Sequence, residues 1–281
     1  MLLFLGGIIL ENDYMDTLKE TKKIHTMYTK FRGDMKNIWE EYSYLDASIS
    51  RANKEEYMVK SLAKVAVGKK TKRDAGGMQN RFLSGGNTRN HYIDAICTFE
   101  NYINSLVEKV YYDYPFKMNG GGMDAQKLFK LILDKETKED MIDVIIEEKV
   151  RSIFYGNPVE IFTKDKCKLE IGGIFESEYP DSIVYYAEIT GRRNAIIHKS
   201  GRVDSKFIKE NPKTSLSEGQ KIVISEDYLK GTIGLLIGIA AIVSKCVVEN
   251  IYKEKTQGKI GSSVITFDRC MKESWFSVLL S

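Results

Sequence analysis

Arginine, asparagine and histidine stand close together at Arg193-Asn194-Ala195-Ile196-Ile197-His198, with Glu188 and Arg192 just before them and Lys199 just after. His198 is one of three histidines in the chain. Histidine's unperturbed pKa lies nearest neutrality, so one imidazole can both take and give a proton there. Arginine is a permanent forked cation whose geometry suits phosphate oxygens. A proton carrier and an anion binder within six residues point to chemistry on a phosphodiester. A histidine in a last helical turn also complements the helix dipole, so spacing alone leaves a structural role open.

The segment reads as a helix over 182–199, stopped by Gly201, a residue type that ends helices readily. Residues four apart share a helical face. Asn194 therefore sits under His198 and can orient its ring, while Glu188 sits under Arg192 and can pair with it. Arg193 shares a face with Tyr186, Ile189, Ile196 and Ile197, and an arginine on an apolar stripe needs a partner or an interface. Arg193 and His198 are five apart, roughly 140° around an ideal helix. One straight helix cannot bring both to one phosphate; convergence needs distortion at Gly191, fraying after His198, or a second copy of the helix, and this points towards a homodimer.

The elements that must position this segment are mostly helical. Four prolines in 281 residues, with abundant Leu, Lys, Glu and Ile, predict a mainly α fold. Residues 14–67 read as two or three charged amphipathic helices. Lys69, Lys70, Lys72 and Arg73 form a basic cluster, followed by Gly76-Gly77 and Gly85-Gly86. These predict a flexible basic linker ending near Asn87 and a candidate RNA-backbone patch. Over 90–112, Ile96, Phe99, Ile103, Leu106 and Val110 recur at spacings of three and four, giving one apolar stripe. Glu100 stands beside that stripe as a solvated or ion-paired residue, or as one that borders a site. Further helices are predicted over 124–133 and 137–155, an irregular piece over 161–174, and a short strand over 221–224. Ser225, with acids after it, caps a last long helix to about Tyr252. The division that follows is an N-terminal helical region at 1–87, a helical domain at 88–255 and a tail at 256–281.

Composition sets the remaining bounds. A net charge of +3 excludes a whole-molecule cationic field, so affinity for nucleic acid must come from a local patch. Cys97, Cys167, Cys246 and Cys270 are scattered, which suggests ordinary thiols in a reducing cytoplasm. The histidines have no cysteine at ligand spacing, and no metal or cofactor is expected. His25 and His91 lie outside the motif and read as structural or surface residues. MLLFLGGIIL at 1–10 lacks the basic start of a signal peptide; Met15, where a helical pattern begins, is a second candidate start. The apolar run 233–243 is shorter than the roughly 20 residues a membrane span needs. With Gly234 and Gly238 at small-residue spacing, it reads as a buried or dimer-interface helix. No membrane association is expected.

The stretch Glu188 to Gly201 (EITGRRNAIIHKSG) resembles the signature of HEPN-domain ribonucleases: Arg, a polar residue, then His after four to six positions. The context is similar too, with Thr98-Phe99-Glu100 on an early helix and a long apolar helix closing the domain. The resemblance covers roughly residues 88–255, and it implies a HEPN-like helical bundle preceded by the N-terminal region. It implies metal-independent RNA cleavage, in which the ribose 2′-oxygen bonds to phosphorus and the bond to the 5′-oxygen breaks. The products are a 2′,3′-cyclic phosphate and a 5′-hydroxyl. On this expectation His198 moves protons and Arg193 stabilises the charged phosphorane. Asn194 orients His198 or contacts phosphate, and Arg192, held by Glu188, adds a second positive contact. Lys199 and Tyr186 are expected to touch RNA, with Tyr185 and Tyr155 as further stacking candidates. The partners implied are RNA, a second copy joined through the motif helices, and an antitoxin or defence component. The setting implied is anti-phage defence or toxicity. The alternatives are a non-catalytic HEPN module holding nucleotide, nucleic acid or protein, and a purely structural adaptor.

Overall fold

The stripe on residues 90–112 dictates the centre of the molecule: Ile96, Phe99, Ile103, Leu106 and Val110 are all fully buried. The computed structural model describes residues 2–51, 71–118, 134–135, 137–154 and 156–281, with side chains from Leu18 onward except at 51, 72 and 75. Among the described residues there are ten α-helices and no strand. In chain order they are α1 (Leu2–Arg51), α2 (Lys72–Arg81), α3 (Asn87–Asp113), α4 (Lys138–Arg151) and α5 (Glu160–Thr163). Then come α6 (Ile174–Ser177), α7 (Pro180–His198), α8 (Ser205–Glu210), α9 (Glu226–Cys246) and α10 (Gly258–Lys272). The expected mainly α class is observed.

The long apolar helix is the second half of the core. Ser225 Oγ accepts from the Tyr228 N–H at 3.1 Å, and Glu226 and Asp227 occupy the first turn, where the dipole favours anions. By length and composition α9 with its π-turn (Val247–Ile251) is apolar enough to cross a membrane, but most of it is buried inside this fold, as a core helix is. α1, α3 and α9 pack on one another. The Tyr28 hydroxyl donates to the Ile237 carbonyl at 3.2 Å, and Tyr102 and Ser244 hydroxyls meet at 2.6 Å. Ile24, Tyr28, Phe31 and Met35 of α1 and Phe267, Phe276 and Leu279 of the C-terminal segment belong to the same apolar cluster as α3 and α9. The three expected regions thus share one core.

Several local expectations are corrected. The described part of the 14–67 stretch is one continuous helix, α1, since it holds no proline and Gly33 alone does not break it; residues 52–67 lie outside the described residues. The basic glycine-bearing stretch is helical from Lys72. Thr71 and Asp74 cap each other's backbone, and Gln79 donates to the Ile49 carbonyl at 2.5 Å. The helix breaks only at the π-turn Phe82–Gly86, where Gly85 takes φ +118°. The strand at 221–224 is reduced to one bridge, Arg202 to Lys221, because Gly201 and the Asp204 cap leave too short a partner. Residues 256–281 form α10 and a 3₁₀ turn (Trp275–Leu280) rather than a tail. The small-residue face of α9 is filled from within: a Cβ on Gly238 would fall inside the Phe267 ring, and one on Gly234 would lie 2.9 Å from Trp275. It is therefore covered without a second copy. The helix expected over 124–133 lies outside the described residues.

Candidate functional site

α7 carries the motif as an unbroken helix. Pro180 opens it, and at its end the Lys199 and Gly201 N–H groups both donate to Ala195 O, at 2.9 and 3.0 Å. Ser200 (φ +54°) and Gly201 (φ +72°) take the left-handed turn that ends it, as the glycine predicts. Gly191 remains helical, so the helix has no kink to swing Arg193 toward His198.

The two arginines have separate fates. Arg192 is 2 % exposed. Its Nε donates to Glu188 Oε1 at 2.9 Å, as the spacing predicts, and its guanidinium stacks over Tyr228 at 4.2 Å. A second nitrogen donates to the Ser281 backbone oxygen, and Thr214 Oγ1 donates to Glu188 at 2.9 Å. Burial pushes the Glu188 carboxyl up while Arg192 and Thr214 pull it down. This knot pins α7 to the C-terminal segment. The expected phosphate contact from Arg192 is therefore corrected: its fork is consumed inside the protein, and Glu188 holds a structural arginine.

Arg193 finds its partner in the same chain. It forms an ion pair with Glu100 on α3, and its other terminal nitrogen donates to Asn194 Oδ1 at 3.1 Å. Both charged side chains are mostly covered, at 20 % and 17 % exposure. Burial raises the Glu100 carboxyl pKa, opposed by the charge and hydrogen bond of Arg193. Arg193 Nε is buried with no hydrogen-bond partner. The apolar-face argument for a dimer is thereby corrected, because Glu100 supplies the partner that burial requires.

His198 stands exposed at the end of α7. It lines a groove of about 270 Å³ with Asn194, Lys199, Asp204, Lys206 and Glu210. Asn194 shares the groove and its oxygen accepts from Arg193, and among the described residues no hydrogen bond joins it to the His198 ring. Lys199 is exposed and lies 3.7 Å from Asp204. The groove exists because Gly191 admits α8: a Cβ there would meet Asn211 Nδ2 at 2.9 Å and Phe207 at 3.0 Å. Proton transfer to a ligand in this groove is chemically open to His198, whereas Arg193 faces Glu100 on α3. One chain therefore brings His198, Asn194 and Lys199 together and leaves Arg193 and Arg192 outside the groove.

The remaining candidates sort by burial. Tyr186 is fully buried, with its hydroxyl unpartnered and its pKa driven up by burial, so it is a core residue and not a base-stacking platform. Tyr185 is half-buried against Phe276. Arg73 is exposed. Lys69, Lys70, Tyr155 and the side chain of Lys72 lie outside the described residues. His91 is buried and bonded to the Asn87 carbonyl at 2.9 Å, in keeping with a structural histidine. Sequence reading missed the Glu100–Arg193 pair, since ninety-three positions separate the partners and no local spacing signals it. It also missed Lys206 and the arginines that border a second groove beside α7. A comparison with family models finds no match, and comparisons with curated proteins and with solved structures find no significant one.

Proposed function

We propose that the protein is a metal-independent endoribonuclease of HEPN-like type, acting in the cytoplasm in anti-phage defence or as a toxin. The observation that carries this reading is His198, exposed at the end of a helix that also bears Arg193 and Asn194, and lining an open groove with Lys199. The mainly α fold supports it, as does the placement of Glu100, from the early Phe-Glu step, against the motif helix. His198 takes the 2′-hydroxyl proton or returns one to the leaving 5′-oxygen; Asn194 and Lys199 hold the phosphate in the groove. Arg193 stabilises the phosphorane once Glu100 releases it or a second copy brings one to the groove. The partners are RNA, a second copy and an antitoxin or defence component.

The test uses wild type, His198→Ala and Arg193→Ala with RNA in excess EDTA. Wild type is expected to leave 2′,3′-cyclic phosphate ends. Each variant should lose about a hundredfold or more in rate, the usual worth of a positioned proton-transfer group or anion stabiliser. Equal cleavage by His198→Ala, or cleavage abolished by EDTA, overturns the reading. The engagement of Arg193 by Glu100 favours one second reading, a non-catalytic module that retains RNA without turnover. It predicts binding without products and no growth arrest when the wild type is expressed in a bacterial host.

A further inference from the structure

Between α2 and α3 the helical path is broken once, at Phe82–Gly86, where Ser84 (ψ +25°) and Gly85 (φ +118°) leave helical geometry. Gly86 is equally constrained, since a Cβ there would lie 2.9 Å from the Arg81 carbonyl. On a straight helix, residues eight apart sit roughly 80° apart around the axis and about 12 Å apart along it. The π-turn lets Arg81 and Arg89, one on each side of it, border a single groove. The opposite wall is the end of α7 (Ile196, Ser200, Gly201) and residues 221–224, including Lys221. The groove measures about 520 Å³, and no acidic side chain lines it.

Arg81, Arg89 and Lys221 are all exposed, and among the described residues none of them is in an ion pair. The His198 groove differs: Lys199 and Lys206 each face a carboxylate at 3.7 Å. A net charge of +3 over the chain makes this local concentration of uncompensated cations informative. Cations without counter-ions in a concavity focus positive potential, and guanidinium forks match phosphate oxygens. Val223, 64 % exposed, and Ile196 offer apolar surface beside the cations. Three cations on three separate chain segments suit successive phosphates better than one mononucleotide. A recessed channel takes splayed nucleotides better than a duplex. We propose that this groove holds the phosphate backbone of a single-stranded RNA that continues over the end of α7 toward His198. The proposal rests on the ribonuclease reading for the direction of the strand.

The probe is a fluorescently labelled oligouridylate, bound to full-length protein carrying His198→Ala so that it is not consumed. Anisotropy is recorded across a range of salt concentrations. Adding Arg81→Ala, Arg89→Ala and Lys221→Ala together should weaken binding by at least about tenfold. It should also flatten the salt dependence by about 0.7 in log–log slope for each phosphate no longer neutralised. The single Arg89→Glu change should act in the same direction, and circular dichroism should report an unchanged fold, because the side chains are exposed. Unchanged affinity and slope, no binding by the parent, full displacement by equimolar uridine monophosphate, or stronger binding of a duplex would each overturn the proposal. Cleavage by wild type separates the two readings. If wild type does not cut but the groove variants still lose binding, catalysis falls and the groove stands. If wild type cuts and the groove variants bind and cut equally well, the groove falls alone.

Discussion

Arg192 and Arg193 are neighbours in sequence and opposites in environment. Arg192 sits at 2 % exposure, stacked on Tyr228 and paired with a carboxylate that is itself 1 % exposed. Removing one member of such a pair leaves a buried charge without compensation, which costs about 3–5 kcal/mol. Arg192→Ala should therefore lower the urea-unfolding free energy by about that amount, and Glu188→Leu with Arg192→Met should recover much of it. A loss below about 1 kcal/mol, the level of an exposed pair, would contradict the buried knot. The sequence made half of this legible. The four-residue spacing gave the Glu188–Arg192 pair, but not its burial, because Tyr228, Thr214 and Ser281 come from distant segments. Arg193 reverses the case: its apolar neighbours were visible, and the partner that neutralises it was not. Tyr186 illustrates the same limit, since ring type alone does not say whether a tyrosine faces RNA or core.

Helix α7 shows how an element sets a groove. Its span, read as 182–199 and observed as Pro180–His198, and its glycine stop were readable because helix ends are local physics. The strand expected at 221–224 was not, because a strand exists only if a partner of sufficient length lies beside it, and Asp204 already caps α8. The glycine-bearing stretch 72–86 likewise depended on a capping box and a tertiary bond from Gln79. Close approach of α8 to α7 depends on Gly191, where an added methyl would collide with Asn211 and Phe207. Gly191→Ala should cost about 1–3 kcal/mol, the usual range for overpacking, unless Phe207 yields. It should also displace Asp204 and Lys206 from the His198 groove. Thermal melts read the first effect, and RNA cleavage under conditions where the variant is fully folded reads the second. A variant with wild-type melting would show that α8 yields freely, and one with wild-type cleavage that the groove tolerates its movement.

At the scale of the whole molecule, Arg193 and His198 must reach one phosphate from different faces of α7. Within a chain they leave α7 about 140° apart, Arg193 toward Glu100 and His198 toward the groove bordered by α8. Ile197, 48 % exposed beside His198, gives the end of the motif helix an apolar contact for another copy. Apposition of two α7 ends around a two-fold axis would place one chain's Arg193 near its partner's His198, with the same patch used on both sides. Light scattering should then report a dimer, and Ile197→Asp should shift it to monomer and lower cleavage. Mixing the two inactive proteins, Arg193→Ala and His198→Ala, supplies a sharper measurement. A mixed dimer has one composite site with both groups intact and one with neither, so random exchange should restore about a quarter of wild-type activity. A mixture that exchanges subunits yet stays inactive would rule out the composite site, and catalysis would then require Arg193 to leave Glu100 within a single chain.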